Sequence, residues 1–151
     1  MTKQSDSGHK VIFNFFGEVI VMGQMSEHIK QVNDIKSSVL EVVAYNYCGK
    51  RDIDIQIEQP EFTSLCPMTG LPDFAKIQIQ YTPNQTIVEL KSLKYYLLQY
   101  RNVGVFYEHL VNVMLDHLVE RVRPKTMTIT GNFTPRGGIQ TRVVATYNSG
   151  E

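Results

Sequence analysis

Cys66 offers the most reactive chemistry in the chain. It lies between Leu65 and Pro67, seven positions before Asp73, in a stretch (PEFTSLCPMTGLP, residues 60–72) that holds three prolines and a glycine. An ionised thiol is a strong nucleophile, but with an ordinary pKa of about 8.5 only a few per cent is thiolate at neutral pH. A helix N-terminus or a nearby cation would raise that fraction. The alternative is a small buried hydrophobe, the commoner fate of a free cysteine. Asp73, after Leu71-Pro72, reads either as a proton donor to whatever the thiol attacks or as a cap where a strand starts. Cys48, within the turn-like Tyr47-Cys48-Gly49, has the weaker case for reactivity.

Charged residues supply further candidates. Glu89, Lys91 and Lys94 fall where a strand pattern gives way to a helix pattern. Lysines three apart share a helix surface and could together hold a dianionic phosphate, or simply form a solvated face. Glu108 stands near the start of a second helix pattern, where the helix dipole favours a carboxylate whatever else it does. Arg136-Gly137-Gly138 lets a guanidinium and bare backbone approach a phosphate, and equally suits an ordinary hairpin turn. The histidines, His9, His28, His109 and His117, show no HxxxH or HExxH spacing, and no CxxC is present, so a metal site has no support. There is no Walker loop and no GxGxxG, so a dinucleotide would bind outside the familiar folds.

The elements that must hold these residues follow from hydrophobic period. Ile53, Ile55 and Ile57 alternate with polar neighbours and predict a half-buried strand. Residues 60–72 predict an irregular loop on their proline content. A second strand follows, with Ile77, Ile79 and Tyr81 on one face, then turn chemistry at Thr82-Pro83-Asn84-Gln85. Residues 91–100 predict a helix carrying Leu93, Tyr96, Leu97 and Tyr100 at helical spacing, with Gly104 as its C-cap. Residues 105–122 predict a long amphipathic helix whose buried face is Leu110, Val111, Met114, Leu118 and Val122, stopped by Pro124. Strands over residues 125–133 and 139–147 close the chain. The β-β-α-α-β-β order predicts an α+β fold, an antiparallel sheet with two helices on one face. Such an open sheet leaves two bare edges, which self-association would cover. Upstream, residues 11–22 form a strand-like apolar run, residues 26–43 a helix-compatible stretch, and residues 1–10 a polar end expected to fray.

Length and composition bound the rest. The 151 residues suit one domain, and a chain of this size buries roughly 70% of its extended surface, enough for an ordinary core. Lys plus Arg and Asp plus Glu number 15 each, giving a formal net charge of zero, whereas direct nucleic-acid binding normally needs a basic excess. A small uncharged ligand fits this balance better. The run over residues 11–22 is too short to span a bilayer, carries Asn14 and Glu18, and lacks the usual small-residue cleavage site. The expectation is a cytoplasmic protein with no membrane contact.

Three segments, in order, resemble one family. Glu61-Phe62-Thr63-Ser64-Leu65-Cys66-Pro67, continuing to Pro72-Asp73-Phe74, is similar to the nucleophile loop of the NADPH-dependent 7-cyano-7-deazaguanine reductases. Glu89-Leu90-Lys91-Ser92-Leu93-Lys94-Tyr95-Tyr96 resembles their signature octapeptide, and Phe133-Thr134-Pro135-Arg136-Gly137-Gly138 their terminal hairpin. The resemblance covers about residues 40–147 and suits the short, single-domain form. It marks residues 39–151 as the reductase domain and residues 1–38 as an N-terminal extension without a counterpart. It implies reduction of the nitrile of 7-cyano-7-deazaguanine to an aminomethyl group, with two NADPH consumed, on the route to queuosine in transfer RNA. It also implies the tunnelling fold (T-fold), in which the sheets of several subunits join into a barrel, with a decamer of two stacked pentamers and active sites between subunits. Carried over by position, it implies Cys66 as the nucleophile that forms a covalent thioimide and Asp73 as the proton donor. Glu108 would hold the donor edge of the deazapurine. Val88, Glu89 and Leu90 would line the base pocket, and Lys91, Arg136 and Gly137 would hold NADPH, with Lys94 a lesser candidate.

One position departs from the pattern. Many relatives place a histidine directly before the substrate-binding glutamate, and here that position is Tyr107. A phenol can donate a hydrogen bond or stack on the base but is a poor proton shuttle near neutral pH. Tyr107 therefore joins the substrate-binding set, and proton delivery rests on Asp73. Rival readings are an amidine-forming relative that acts on a modified transfer RNA, and a non-catalytic purine- or pterin-binding member of the same fold. The first would lack the Glu-x-Lys-x-x-Lys signature; the second would keep Glu108 without needing Cys66 and Asp73 together. An inert structural oligomer is a third.

Overall fold

The computed structural model describes residues 29–150 and, before them, the backbone of two short strands, β1 (Val11–Phe13) and β2 (Val19–Val21), paired antiparallel. The fraying expected of residues 1–10 lies outside the described residues, as do residues 14–18 and 22–28 of the N-terminal extension. Residues 29–44 contain no α-helix. They form a two-residue strand, β3 (Lys30–Gln31), single 3-10 turns at Val32–Asp34 and Ser37–Val39, and β4 (Val42–Ala44). The helix-compatible spacing is overruled by anchoring: Ile35 and Leu40 are buried in the core, and the Leu40 carbonyl accepts two bonds from the Arg121 guanidinium, at 3.1 and 2.8 Å. The β-branched residues along this stretch weaken the helical alternative further.

The long hairpin of β5 (Ile55–Leu65) and β6 (Pro72–Thr82) corrects the expectation of a loop over residues 60–72, because only residues 66–71 connect the strands. Pro60 sits at a bulge where the pairing shifts between Gln59 and Phe62. On its other side β5 pairs only at Leu65, so a residue without an N–H is tolerated there. Ile53 precedes the strand and stays exposed.

A short strand, β7 (Thr86–Val88), pairs with β4 and leads into α1 (Leu90–Leu98), a 3-10 turn (Gln99–Asn102) and β8 (Val103–Gly104). The C-cap of α1 is Gln99, which corrects the expectation for Gly104. Gly104 lies in a strand parallel to β5, and a Cβ there would meet Ile29 Cγ2 at 3.1 Å and the Pro67 Cα at 3.4 Å. Its small size therefore serves close packing against the Cys66 loop. The chain continues with α2 (Tyr107–Val122), β9 (Thr126–Arg136) and β10 (Ile139–Asn148). Left-handed Gly137 and Gly138 (φ 55° and 80°) make the tight turn between the last two strands, matching their twist.

The long strands lie antiparallel in the order β10-β9-β6-β5, and β8 and β3 extend the β5 edge in parallel. Ala75, Ile77, Ile79 and Tyr81 of β6, with Met127, Ile129 and Phe133 of β9, share one core with both helices. From α1 it takes Leu93, Tyr96 and Leu97, and from α2 the expected face of Leu110, Val111, Met114, Leu118 and Val122. Full burial of each such side chain stabilises by about 1.5–3 kcal/mol. The fold is α+β with its helices on one sheet face, as the element order predicts. Among the described residues no helix is long and apolar enough to cross a membrane.

Candidate active site

Cys66 follows directly on the last residue of β5 and is half-buried. The six-residue connection is closed by two backbone bonds, Cys66 N–H to the Leu71 carbonyl and Gly70 N–H to the Cys66 carbonyl, both 2.8 Å. The thiol's pKa is lowered. The Thr69 side chain, hydrogen-bonded to the sulfur, is the largest cause; burial opposes it, the N–H groups of Met68 and Thr69 reinforce it, and the charge of Asp73 opposes it weakly. The main cause is thus neither of the agents expected from sequence, a helix N-terminus or a cation. Thr69 was the residue missed, and its signal was a hydroxyl three positions after the cysteine in a Pro- and Gly-bearing turn.

Asp73, the second residue of β6, is only 3% exposed. Its Oδ1 accepts a 2.5 Å hydrogen bond from the Tyr107 hydroxyl and a 2.6 Å ion pair from the Arg136 guanidinium, which also donates to the Pro72 carbonyl at 2.5 Å. Register explains the meeting. Ala75 pairs with Phe133 across β6 and β9, so three further residues of β9 carry Arg136 over Pro72 and Asp73. Tyr107 opens α2, its ring stacked on Phe133 at 3.7 Å between centroids with 12° between planes. Burial, then the contact with Asp73, pushes its hydroxyl pKa up to about 12. β8 completes the arrangement, since the N–H of Val105 bonds the Leu65 carbonyl and sets the start of α2 beside the Cys66 loop.

Thus Cys66, Asp73, Tyr107 and Arg136 come together within one chain, with exposed Glu108 next along α2 and Gly137 next after Arg136. Val88, Glu89, Leu90 and Lys91 lie at the other end of α1. Val88 is buried, its N–H bonded to the Tyr81 hydroxyl at 3.1 Å. Glu89 is the N-cap of α1, and its carboxylate accepts from the N–H groups of Lys91 (2.8 Å) and Ser92 (2.7 Å). Those two backbone bonds, Lys91 first, hold it below the usual carboxylate range. Leu90 and Lys91 are exposed. The Gly137-Gly138 turn is unobstructed, with no atom within 4 Å of a Cβ built on either glycine. Exposed cations at Lys91 and Lys94 and this open turn suit phosphate groups, whereas Arg136 is already held by Asp73. Two concavities, about 560 Å³ along β5, β6 and β9 and about 320 Å³ between β5 and the end of α1, include neither Cys66 nor Asp73 in their lining.

The half-buried thiol of Cys66 and the buried carboxylate of Asp73 mark this end of the sheet as the candidate site, and comparison with known proteins supplies the family. Residues 72–151 match the family model described as QueF-like protein. A relative from Elusimicrobium minutum, named NADPH-dependent 7-cyano-7-deazaguanine reductase, is 48% identical over 85% of this chain and 96% of its own length. Relatives of the same name from Chlorobium phaeobacteroides (54% identity, 78% and 98%) and Prosthecochloris aestuarii (48%, 78% and 98%) match as well. A crystal structure of the archaeosine synthase QueF-Like in its apo form shares the fold, with a TM-score of 0.56 at 20% identity, over 66% of this chain and 95% of that one. The chain belongs to the family of NADPH-dependent 7-cyano-7-deazaguanine reductases, oxidoreductases whose named cofactor is NADPH.

Proposed function

We propose that this chain is a cytoplasmic reductase that converts the nitrile of 7-cyano-7-deazaguanine to the aminomethyl group of 7-aminomethyl-7-deazaguanine through a covalent thioimide on Cys66, in queuosine biosynthesis. The observation that carries the mechanism is the half-buried Cys66 at the end of β5 on the same corner as the buried carboxylate of Asp73, which Tyr107 and Arg136 hold in place. The Cys66 sulfur forms a bond to the nitrile carbon, one C–N π bond breaks, and the nitrogen takes a proton delivered through Asp73. The thioimide carbon is far more electrophilic than the nitrile, which is the purpose of the covalent step. NADPH, when bound, supplies the two hydrides the reduction needs; Lys91 and the Gly137 turn are the groups assigned to it, with Arg136 joining only if it releases Asp73. Loss of the sulfur as thiolate after the first reduction leaves an imine, and the thiol is regenerated. Glu108 accepts hydrogen bonds from the donor edge of the base, and Tyr107 both positions Asp73 and borders the base.

Because Val88, Glu89 and Leu90 sit at the far end of α1, a pocket that includes them beside Cys66 takes them from a neighbouring subunit. This supports self-association as a T-fold barrel, in the proposed form of two stacked pentamers. Loss of NADPH absorbance in the presence of 7-cyano-7-deazaguanine tests the reading. Two NADPH are expected per nitrile, with Cys66→Ala inactive. Mass spectrometry without NADPH should find the adduct on Cys66 and none on Cys48. A wild-type protein that leaves NADPH unchanged would sink the proposal.

A further inference from the structure

Ser64 is fully buried, yet its hydroxyl has no hydrogen-bond partner among the described residues. Buried polar groups are nearly always paired, because a hydroxyl taken out of water without a new partner destabilises the fold. Its place in the sheet gives the exception a meaning. Ser64 lies directly across the β5–β6 hairpin from Asp73, and the next inward pair along the ladder is Phe62 with Ala75. Directly opposed residues of an antiparallel pair point to the same face, with Cβ atoms about 4.5–5.5 Å apart. Cys66 stands two residues beyond Ser64, where the alternation of β5, carried one step past its last residue, repeats that face.

The Asp73 carboxyl is partnered on one side only. The Tyr107 hydroxyl of α2 and the Arg136 guanidinium of β9 both bond Oδ1, at 2.5 and 2.6 Å, and Oδ2 takes no bond from a described residue. Cys66, in the connection after β5, is the third titratable group of this corner. A guanidinium has donors only, and the phenol spends its one proton on Oδ1. Both therefore suit the ionised form, and neither offers a place for a carboxyl proton. A proton donor must hold one. With two donors already on Oδ1, the proton belongs on Oδ2, and a buried O–H needs an acceptor. The Ser64 hydroxyl, directly across the hairpin with both lone pairs unused, meets that need.

We propose that Ser64 is a positioning residue for the proton that Asp73 delivers: its hydroxyl accepts the Oδ2–H of the protonated carboxyl and stands idle when Asp73 is ionised. This rests on the reading above of Cys66 as nucleophile and Asp73 as proton donor, and it adds a residue outside the set the resemblance supplied. In the resting chain Arg136 and Tyr107 hold the carboxylate, and Ser64 has no partner. When the carboxyl takes up a proton, rotation about the Ser64 Cα–Cβ bond turns the hydroxyl oxygen to it. As the Cys66 sulfur bonds the nitrile carbon, the electron pair of one C–N π bond moves to nitrogen. The Oδ2 proton leaves Ser64 for that nitrogen, and Asp73 returns to a carboxylate on its two Oδ1 donors. Ser64 is buried and acts only through Asp73. A group that breaks a packing rule beside a site is expected where the reaction, rather than the resting fold, uses it.

The bond is tested without substrate or NADPH, by thermal unfolding of the wild type and Ser64→Ala against pH. At about pH 7, deletion of an idle hydroxyl should leave the melting temperature unchanged or slightly higher. At about pH 4, where carboxyls take up protons, Ser64→Ala is expected to melt about 2–4 °C below the wild type. In an Asp73→Asn background the effect of Ser64→Ala should be the same at both pH values. A difference that does not change with pH, or that changes as much in Asp73→Asn, would overturn the inference. Its part in the reaction is read from the rate at which the Cys66 adduct forms on 7-cyano-7-deazaguanine without NADPH. Ser64→Ala should form it about three- to tenfold more slowly at neutral pH, and the ratio to wild type should shrink as pH falls, because acid solution restores the missing proton. A loss of equal size at every pH would mark a merely structural role and overturn the proposal. A wild type that forms no adduct while the acid-dependent melting difference holds would sink the reductase reading and retain Ser64 as the partner of protonated Asp73.

Discussion

Two corners of the protomer carry the candidate residues, and they are built on different principles. Around Cys66, polar groups meet at one buried carboxylate, which takes a phenol and a guanidinium on a single oxygen, beside a loop tied at the cysteine by two backbone bonds. Around Glu89, polar groups are spent on the fold. The Glu89 carboxylate caps α1, and the Ser92 hydroxyl accepts the Glu41 N–H at 2.9 Å and donates to the Glu89 carbonyl at 2.7 Å. The first corner holds its candidate groups together within one chain. The second is a capped helix start that presents Leu90 and Lys91 outward, and in the proposed reading a neighbouring subunit brings it to the sulfur.

The largest expected effect tests that division. Asp73→Asn should lower kcat by about a hundredfold or more while the protein still folds, because the amide fills the same space but carries no transferable proton. Glu89→Ala should also abolish activity, for a different reason, and subunit mixing separates the two. Co-expressed Cys66→Ala and Glu89→Ala chains should regain activity, since mixed interfaces reunite an intact sulfur corner with an intact Glu89 corner. Co-expressed Cys66→Ala and Asp73→Asn chains should not, because both lesions fall in the same corner of their own chain. Equal recovery in the two mixtures, or none in either, would end the comparison.

A smaller effect is expected at Tyr107, which links α2 to the sulfur corner. Tyr107→Phe keeps the stack on Phe133 and deletes the bond to Asp73. It should mainly raise KM for the nitrile, and a collapse of kcat with unchanged binding would instead make the phenol part of proton delivery. Alkaline stability gives a second readout. The folded-state pKa is raised from 10.0 to about 12, so the native protein holds the phenolic proton more tightly than the unfolded chain does. The stability from this bond is therefore complete below about pH 10 and lost as pH rises towards 12. Melting temperature should fall more steeply over that window in the wild type than in Tyr107→Phe.

Much of this was legible before any coordinates. Period alone located both helix faces and the inward residues of β6, because Ile77, Ile79 and Tyr81 or Leu110, Met114 and Leu118 leave little choice of side. Proline content misled over residues 60–72, since a bulge on a strand with a bare flank accepts Pro60 without breaking the strand. Gly104 misled for a related reason: glycine marks close approach as readily as it marks a helix end, and spacing cannot tell these apart. At the site, types and motifs picked out Cys66 and Asp73. They could not pick out the Arg136–Asp73 pair, which depends on the register between β6 and β9. Long-range register is a property of the assembled chain.

The smallest expected effect contrasts two buried serines, one in each corner. Ser64 is fully buried and pairs across the hairpin with Asp73, yet its hydroxyl has no hydrogen-bond partner among the described residues. Ser92 is buried with its hydroxyl bonded on both sides. Removing a satisfied hydroxyl strands its partner, so Ser92→Ala should destabilise by about 1–3 kcal/mol, a loss of several degrees in melting temperature. Removing an orphaned one relieves a burial penalty, so Ser64→Ala should leave stability unchanged or raise it by up to about 1 kcal/mol. Thermal unfolding of the two variants beside the wild type measures both. If Ser64→Ala instead lost as much as Ser92→Ala, its hydroxyl would be satisfied by an internal water or by the Asp73 carboxylate after rotation. The sulfur corner would then hold a closed polar network, as the Glu89 corner does.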